Sequence, residues 1–323
     1  MFSNDNTTGK LNIRSLPLQV LSALSDLAAR NDRSLEAEAR HALKEWVKPV
    51  VAAEIESTRL SQLSNRLQSL AKDLEIARPS KPCTPSRMAE ALGMTHAVPV
   101  EQWFLGQTEP SFADLSSIAR VTGCHIDWLS HGEGTPFSSK YERIPEHAIF
   151  GTEFLLTPRE DGLRPYLHLV RSKDRTGSFL FVRQYSDWDY RVFNTPYHVS
   201  EVIGAGGESS LAALSLVLKG VYRALTQHNP GFEVFGYLME KDEFAKLIEG
   251  ARHPAILLKS AEESCWWEDF WDASQFDKQD YWEGWNSITR HIYKVVEDSP
   301  HLREQKATLA AHRFEFSKQA PIS

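Results

Sequence analysis

A chain of 323 residues with 41% hydrophobic and 11% aromatic content is long enough for two or three globular domains and too apolar for a disordered one. Its net charge of −7 excludes binding to nucleic acid through a broad basic field, so any such contact rests on a few placed cations. Three widely spaced cysteines without metal-ligand spacing point to reduced thiols rather than a disulfide framework or a metal site.

The charge is uneven along the chain. Residues 1–57 hold 7 Lys+Arg against 8 Asp+Glu, residues 58–143 hold 9 against 9, and the remainder holds 20 against 26. Six of the seven excess acids therefore lie in the C-terminal part. No apolar run reaches membrane-spanning length and no signal peptide opens the sequence, so a cytoplasmic protein without a membrane partner is expected.

The first predicted element is a short strand. Lys10, Asn12 and Arg14 alternate with Leu11 and Ile13, placing three hydrogen-bonding side chains on one face and aliphatics on the other. Such a polar face suits base edges in the major groove, where Asn pairs with adenine and Arg with guanine. A lone strand leaves its ladder groups unpaired, so a second chain must complete the ribbon. Val20, Leu21, Leu24, Leu27 and Ala28 then recur at helical spacing. Asn31-Asp32 breaks that pattern and Ser34 caps a second helix carrying Leu35, Ala39, Ala42, Leu43 and Trp46. Lys48-Pro49 is expected to end it.

This order of strand, helix, turn and capped helix over about 40 residues resembles the ribbon-helix-helix family of Arc- and FitA-like repressors and antitoxins. The resemblance implies Lys10, Asn12 and Arg14 as base readers, and Ser34 at a helix start whose free N–H groups hold a DNA phosphate.

Leu60, Leu63, Leu67, Leu70 and Leu74 alternate spacings of three and four, which predicts the first helix of a packed bundle rather than a coiled coil of under three heptads. In CTPSRMAEALGM, Thr84 is a cap and Pro85 a first-turn proline. Ala89 and Gly93 supply the small residue and the left-handed turn that a helix-turn-helix needs. Val100 and Trp103 anchor the next helix. Leu115, Ile118, Ala119 and Val121 form another buried face, and a short helix starts near Ile126. Over residues 60–134 this resembles the lambda-repressor-like (Cro/XRE) helix-turn-helix domain, with one residue extra between Gly93 and Trp103. The resemblance implies Thr95 as the cap of the recognition helix and His96, Glu101 and Gln102 as side chains facing DNA.

Ser138 to Pro145 reads as a linker or domain edge. Beyond it, strands are predicted around residues 166–170, 179–182, 190–193, 232–238 and 256–258, with helices over 209–228 and 278–297: an α+β domain. ESCWWEDFW suits a core-and-rim segment, with an aromatic pocket for a cationic or planar ligand as the alternative. Gly204 to Gly207, ahead of a helix at Glu208, fits neither phosphate fingerprint. No catalytic constellation has a readable spacing.

The expectation is thus a multidomain chain: a ribbon-helix-helix module over 1–48, an all-α helix-turn-helix domain over 49–137 and an α+β domain over 138–323. The expected function is sequence-specific DNA binding through both N-terminal modules by a homodimer or higher homo-oligomer, most simply as a repressor on double-stranded DNA with an inverted repeat. No enzymatic activity, metal or cofactor is expected. The α+β domain oligomerises, senses a small ligand or binds a partner protein. The alternatives are an antitoxin neutralising a protein toxin, and an effector with a catalytic C-terminal domain.

Overall fold

The computed structural model describes residues 11, 13–202, 204–227 and 231–315, and the side chains of all of these except 49–57 and 205. The chain divides into two compact units, Met1–Ser61 and Gln62–Ser323.

In the first unit, α1 (Leu18–Arg30) is followed by a turn and by the start of α2 (Leu35–Ala77). Asp32 adopts a left-handed φ of 51°, a conformation that Asp tolerates better than most residues. Ser34 Oγ accepts from the Ala37 N–H at 3.1 Å, which is the expected cap. The expected end at Lys48-Pro49 is not found, because α2 runs through Pro49 as one 43-residue helix. A proline removes a single i→i−4 donor, and flanking turns rich in Ala, Leu, Glu and Lys carry the helix past that gap.

The second unit begins with the C-terminal part of α2. It continues through α3 (Pro85–Ala91), α4 (Val98–Phe104), α5 (Phe112–Thr122) and α6 (Ile126–His131). Leu63, Leu67, Leu70 and Leu74 are buried against Met88, Val100, Trp103, Leu115, Ile118 and Leu129. The leucine repeat is therefore spent inside a bundle. Thr84 caps α3 by accepting from the Arg87 N–H at 3.3 Å. Gly93 turns the chain at φ 69°, and the buried Ala89 accepts from the Met94 N–H at 2.9 Å.

Residues 138–145 are not a linker. Lys140–Tyr141 form β1, an edge strand, and Phe137 and Ser139 donate to Gly250 and Ile248 at 2.9 and 3.0 Å. After α7 (Ala148–Leu155) come β2 (Tyr166–Ser172), β3 (Ser178–Gln184) and β4 (Tyr190–His198). Then follow α8 (Ala205–Thr226), β5 (Val234–Met239), α9 (Lys241–Glu249), α10 (Pro254–Leu258) and β6 (Glu262–Glu263). The chain continues through α11 (Trp266–Asp269), α12 (Trp285–Asp298) and α13 (Pro300–Ala311).

The strands form one mixed sheet of order β1-β4-β3-β2-β5-β6, antiparallel except for the β1–β4 and β2–β5 pairs. One face buries Leu167, Leu169, Phe179 and Phe181 under α7, α8 and α12. The opposite face buries Val170, Leu180, Val182 and Val192 against α9 and α10. Both faces are covered, which is why the strands read as apolar runs rather than clean alternations.

Three sequence expectations change here. Residues 256–258 are helical, since His253 and Pro254 open a turn with the His253 ring accepting from the Ala255 N–H at 3.3 Å. The glycine run is not a loop ahead of a helix at Glu208, because α8 already begins at Ala205. The final helix starts at Trp285, and Ser299-Pro300 splits off a further one by capping α13.

The bundle is fastened to the sheet domain by charge. Asp73 on α2 accepts from Arg252 Nε at 2.9 and 3.1 Å and from the His253 N–H at 3.0 Å. Lys259 caps the end of α2 by donating to the Ala77 carbonyl. Arg78 and Lys81 each lie 3.2 Å from the buried Asp187.

Candidate nucleic-acid interface

Of the expected base readers, Lys10 and Asn12 lie outside the described residues. Arg14 is exposed, followed by Ser15 at φ 61°. Residues 11 and 13–17 form no strand within this single chain, and Leu11 stands 72% exposed. The aliphatic side of this segment is uncovered in the single chain, with Ile13 52% exposed.

The helices behind it are likewise uncovered. Leu18 is 83% and Trp46 79% exposed, and Val20, Leu21, Leu27, Leu35 and Leu43 are exposed as well. Among the described residues of this unit up to Lys48, only Ala28 and Glu38 are buried. Two helices with this much uncovered apolar surface form no core of their own in the single chain.

The turn between the helices is held by Glu38, which no sequence motif singles out. Its buried carboxylate accepts from Asn31 Nδ2 at 2.9 Å and Arg33 Nη1 at 3.2 Å. The available signal was a carboxylate four residues after the Ser34 cap, one turn into the helix. Ser34 itself is exposed. Its Oγ is used by the Ala37 N–H, which leaves the other first-turn N–H groups for an anion. Glu36 in the same turn is paired with Arg40 at 2.7 Å.

In the second bundle the expected readers are Thr95, His96, Glu101 and Gln102. Thr95 does not cap α4. The cap position is Ala97, without a side-chain bond, and Thr95 sits two residues earlier. Pro99 in the first turn has no N–H, so one fewer donor there requires a cap. Thr95, His96 and Glu101 are exposed, and Gln102 is half-buried with Thr108 Oγ1 3.5 Å from its Oε1. Val98, Glu101 and Leu105 share one outward face of α4, with Val98 56% and Leu105 66% exposed. No Lys or Arg occurs between Arg87 and Arg120. That face is apolar and acidic, the opposite of what a phosphate backbone attracts.

The tryptophan segment is core. Trp266, Trp267 and Phe270 are at most 1% exposed. The nearby cation is the chain's own Arg171, whose guanidinium lies 3.8 Å from the Trp282 ring centre and donates to the Val199 and Ser172 carbonyls at 2.9 and 2.8 Å. Burial lowers its pKa to about 10. Burial likewise pushes the Cys83 thiol up to about 12 and Cys124 to about 11, so neither is a poised nucleophile. Among the described residues no group of three or more His, Cys, Asp or Glu is arranged to hold a metal, and no helix is long and apolar enough to cross a membrane.

The N-terminal unit thus places two helices, joined by a capped turn, behind an exposed segment ending at Pro17. Residues 10–47 match the family described as antitoxin FitA-like, ribbon-helix-helix. No curated protein and no solved structure matches the chain.

Proposed function

We propose that this chain is a sequence-specific DNA-binding regulator that acts as a homodimer or higher homo-oligomer on an inverted repeat. Lys10, Asn12 and Arg14 read bases from a two-stranded ribbon, and the helix start at Ser34 holds a phosphate. The observation that carries this reading is the ribbon-helix-helix match over residues 10–47, in a unit whose apolar helices are exposed in one chain. The helix-turn-helix bundle is a rigid body rather than a second reader, since its α4 face has no cation to meet phosphate. Repression follows from occupying a promoter. No catalytic step is assigned to the α+β domain.

Selection of bound sequences from random duplex DNA tests this reading directly. An enriched inverted repeat that is lost in Arg14→Ala supports it. Enrichment of no sequence removes it.

The name of the matched family favours a second reading, an antitoxin that also binds its own operator. A small chain that co-purifies in fixed ratio, and whose toxicity this protein relieves, is the result that would establish it.

A further inference from the structure

A cleft of about 310 Å³ lies between α5 and α6 of the bundle and β1 and β4 of the sheet. Arg120, Lys140, Arg191 and His125 line it, and no Asp or Glu does. In a chain with 43 acids against 36 bases, such a wall is unusual. Ala119 and Ile126 contribute an apolar side, with Ile126 37% exposed.

The cations differ in how they are held. Arg191 is fixed by Asp189, with Nε and Nη2 donating at 2.9 and 3.1 Å, and lies 5.1 Å from the Tyr185 ring centre. Asp189 is fully buried and is also met by Arg159 at 2.9 Å, so its charge is already balanced. Arg120 and Lys140 have no carboxylate partner among the described residues. Arg159 is paired with Asp161 as well, at 2.6 Å, so counting Arg120, Lys140, Arg191, Arg159, Asp161 and Asp189 together leaves two positive charges beside the cleft. His125 Nε2 donates to the Ser138 carbonyl at 2.8 Å, which fixes its ring at the rim.

We propose that this cleft binds a small phosphomonoester carrying an apolar or aromatic body. The phosphate dianion sits against Arg120 and Lys140, where the Arg120 guanidinium fork matches phosphate oxygens and Arg191, held by Asp189, adds its charge, and the body lies against Ile126. The site joins the bundle to the sheet domain and stands independently of the DNA reading.

The test is calorimetric titration of the full chain with phenyl phosphate, inorganic phosphate and benzoate. Phenyl phosphate should bind best, about tenfold weaker in Arg120→Ala and undetectably in the Arg120→Ala/Lys140→Ala double variant. Both positions are exposed, and unchanged unliganded melting certifies the fold. Arg120→Lys, which keeps the charge and loses the fork, should fall between. Undiminished affinity in the double variant, or no binding to wild type at millimolar phenyl phosphate, overturns the site. Equal binding of benzoate overturns the phosphate assignment, and equal binding of inorganic phosphate overturns the apolar body. Displacement of phenyl phosphate by a random-sequence duplex overturns a small-molecule ligand in favour of DNA.

Discussion

Gly93 and Gly123 have nearly the same backbone, φ 69° and 70°, in different surroundings. A Cβ on Gly93 would meet nothing within 4 Å. On Gly123 it would lie 2.8 Å from Asp189 Oδ1 and 3.1 Å from both the N and O of Tyr190. Gly93→Ala therefore carries only the left-handed penalty, partly offset by a stiffer unfolded chain, for a net loss of about 1 kcal/mol. Gly123→Ala adds overpacking against groups that cannot retreat. Asp189 is fully buried between Arg159 and Arg191, and Tyr190 contributes backbone that pairs in the sheet. Overpacking costs typically 1–3 kcal/mol, so Gly123→Ala should lose about 3 kcal/mol in total. Urea unfolding followed by tryptophan fluorescence suits the comparison, since every tryptophan except Trp46 lies beyond Ser61. Equal losses for the two variants would refute the claim that the bundle closes onto β4 at this glycine.

Three further outcomes follow from the same structure. Arg14→Ala should weaken operator binding by about 1–3 kcal/mol while leaving non-specific affinity nearly unchanged, as read by titration against selected and scrambled duplexes. Asp73→Ala removes the acceptor for Arg252 and the His253 N–H, and a loss of about 2 kcal/mol in urea unfolding is expected. Burial lowers both His168 and His253 to about 4, so in acid the unfolded chain takes up protons that the folded chain refuses. Stability is then fully present above pH ~6.5 and is lost as pH falls toward ~4, by about 2 kcal/mol per histidine at pH ~5. His168→Phe, which keeps a ring among Tyr190, Phe235 and Tyr237, should flatten that slope by about half.

The elements legible in the sequence were those governed by local chemistry. Ser34 and Thr84 cap because their oxygens reach N–H groups three residues on, and Gly93 turns because only glycine takes that φ freely. β2, β3 and β4 were readable as β-branched and aromatic runs. What failed depended on partners distant in sequence. Pro49 looked like a stop because a local rule does not weigh the long helix on either side. Residues 138–145 looked like a linker because the strand β1 exists only through pairing with Phe193 and Asn194. Ile256 to Leu258 looked like a strand, since a five-residue apolar run carries no helical period. The cleft between α5 and β4 was invisible because Arg120, Lys140 and Arg191 are brought together only by the fold. At the candidate interface the Ser34 cap was readable, whereas the Glu38 clamp was not.

The role of the second bundle turns on Gln102 and Glu101. Its buried leucine, Val100 and Trp103 core and the Gly93 turn suit the helix-turn-helix expectation, and that order alone would favour DNA reading. Charge opposes it: the run from Met88 to Ala119 has no cation, and α4 shows solvent Val98, Glu101 and Leu105. A base reader there would have to bring Glu101 close to phosphate without a compensating Lys or Arg, at a cost that rises as salt falls. Gln102→Ala should therefore leave operator affinity and footprint length unchanged, and Glu101→Gln should change neither the affinity nor its dependence on salt. A fall of about tenfold or more in Gln102→Ala, or a steeper salt dependence in Glu101→Gln, would mean that α4 lies on DNA after all and that both modules read the site.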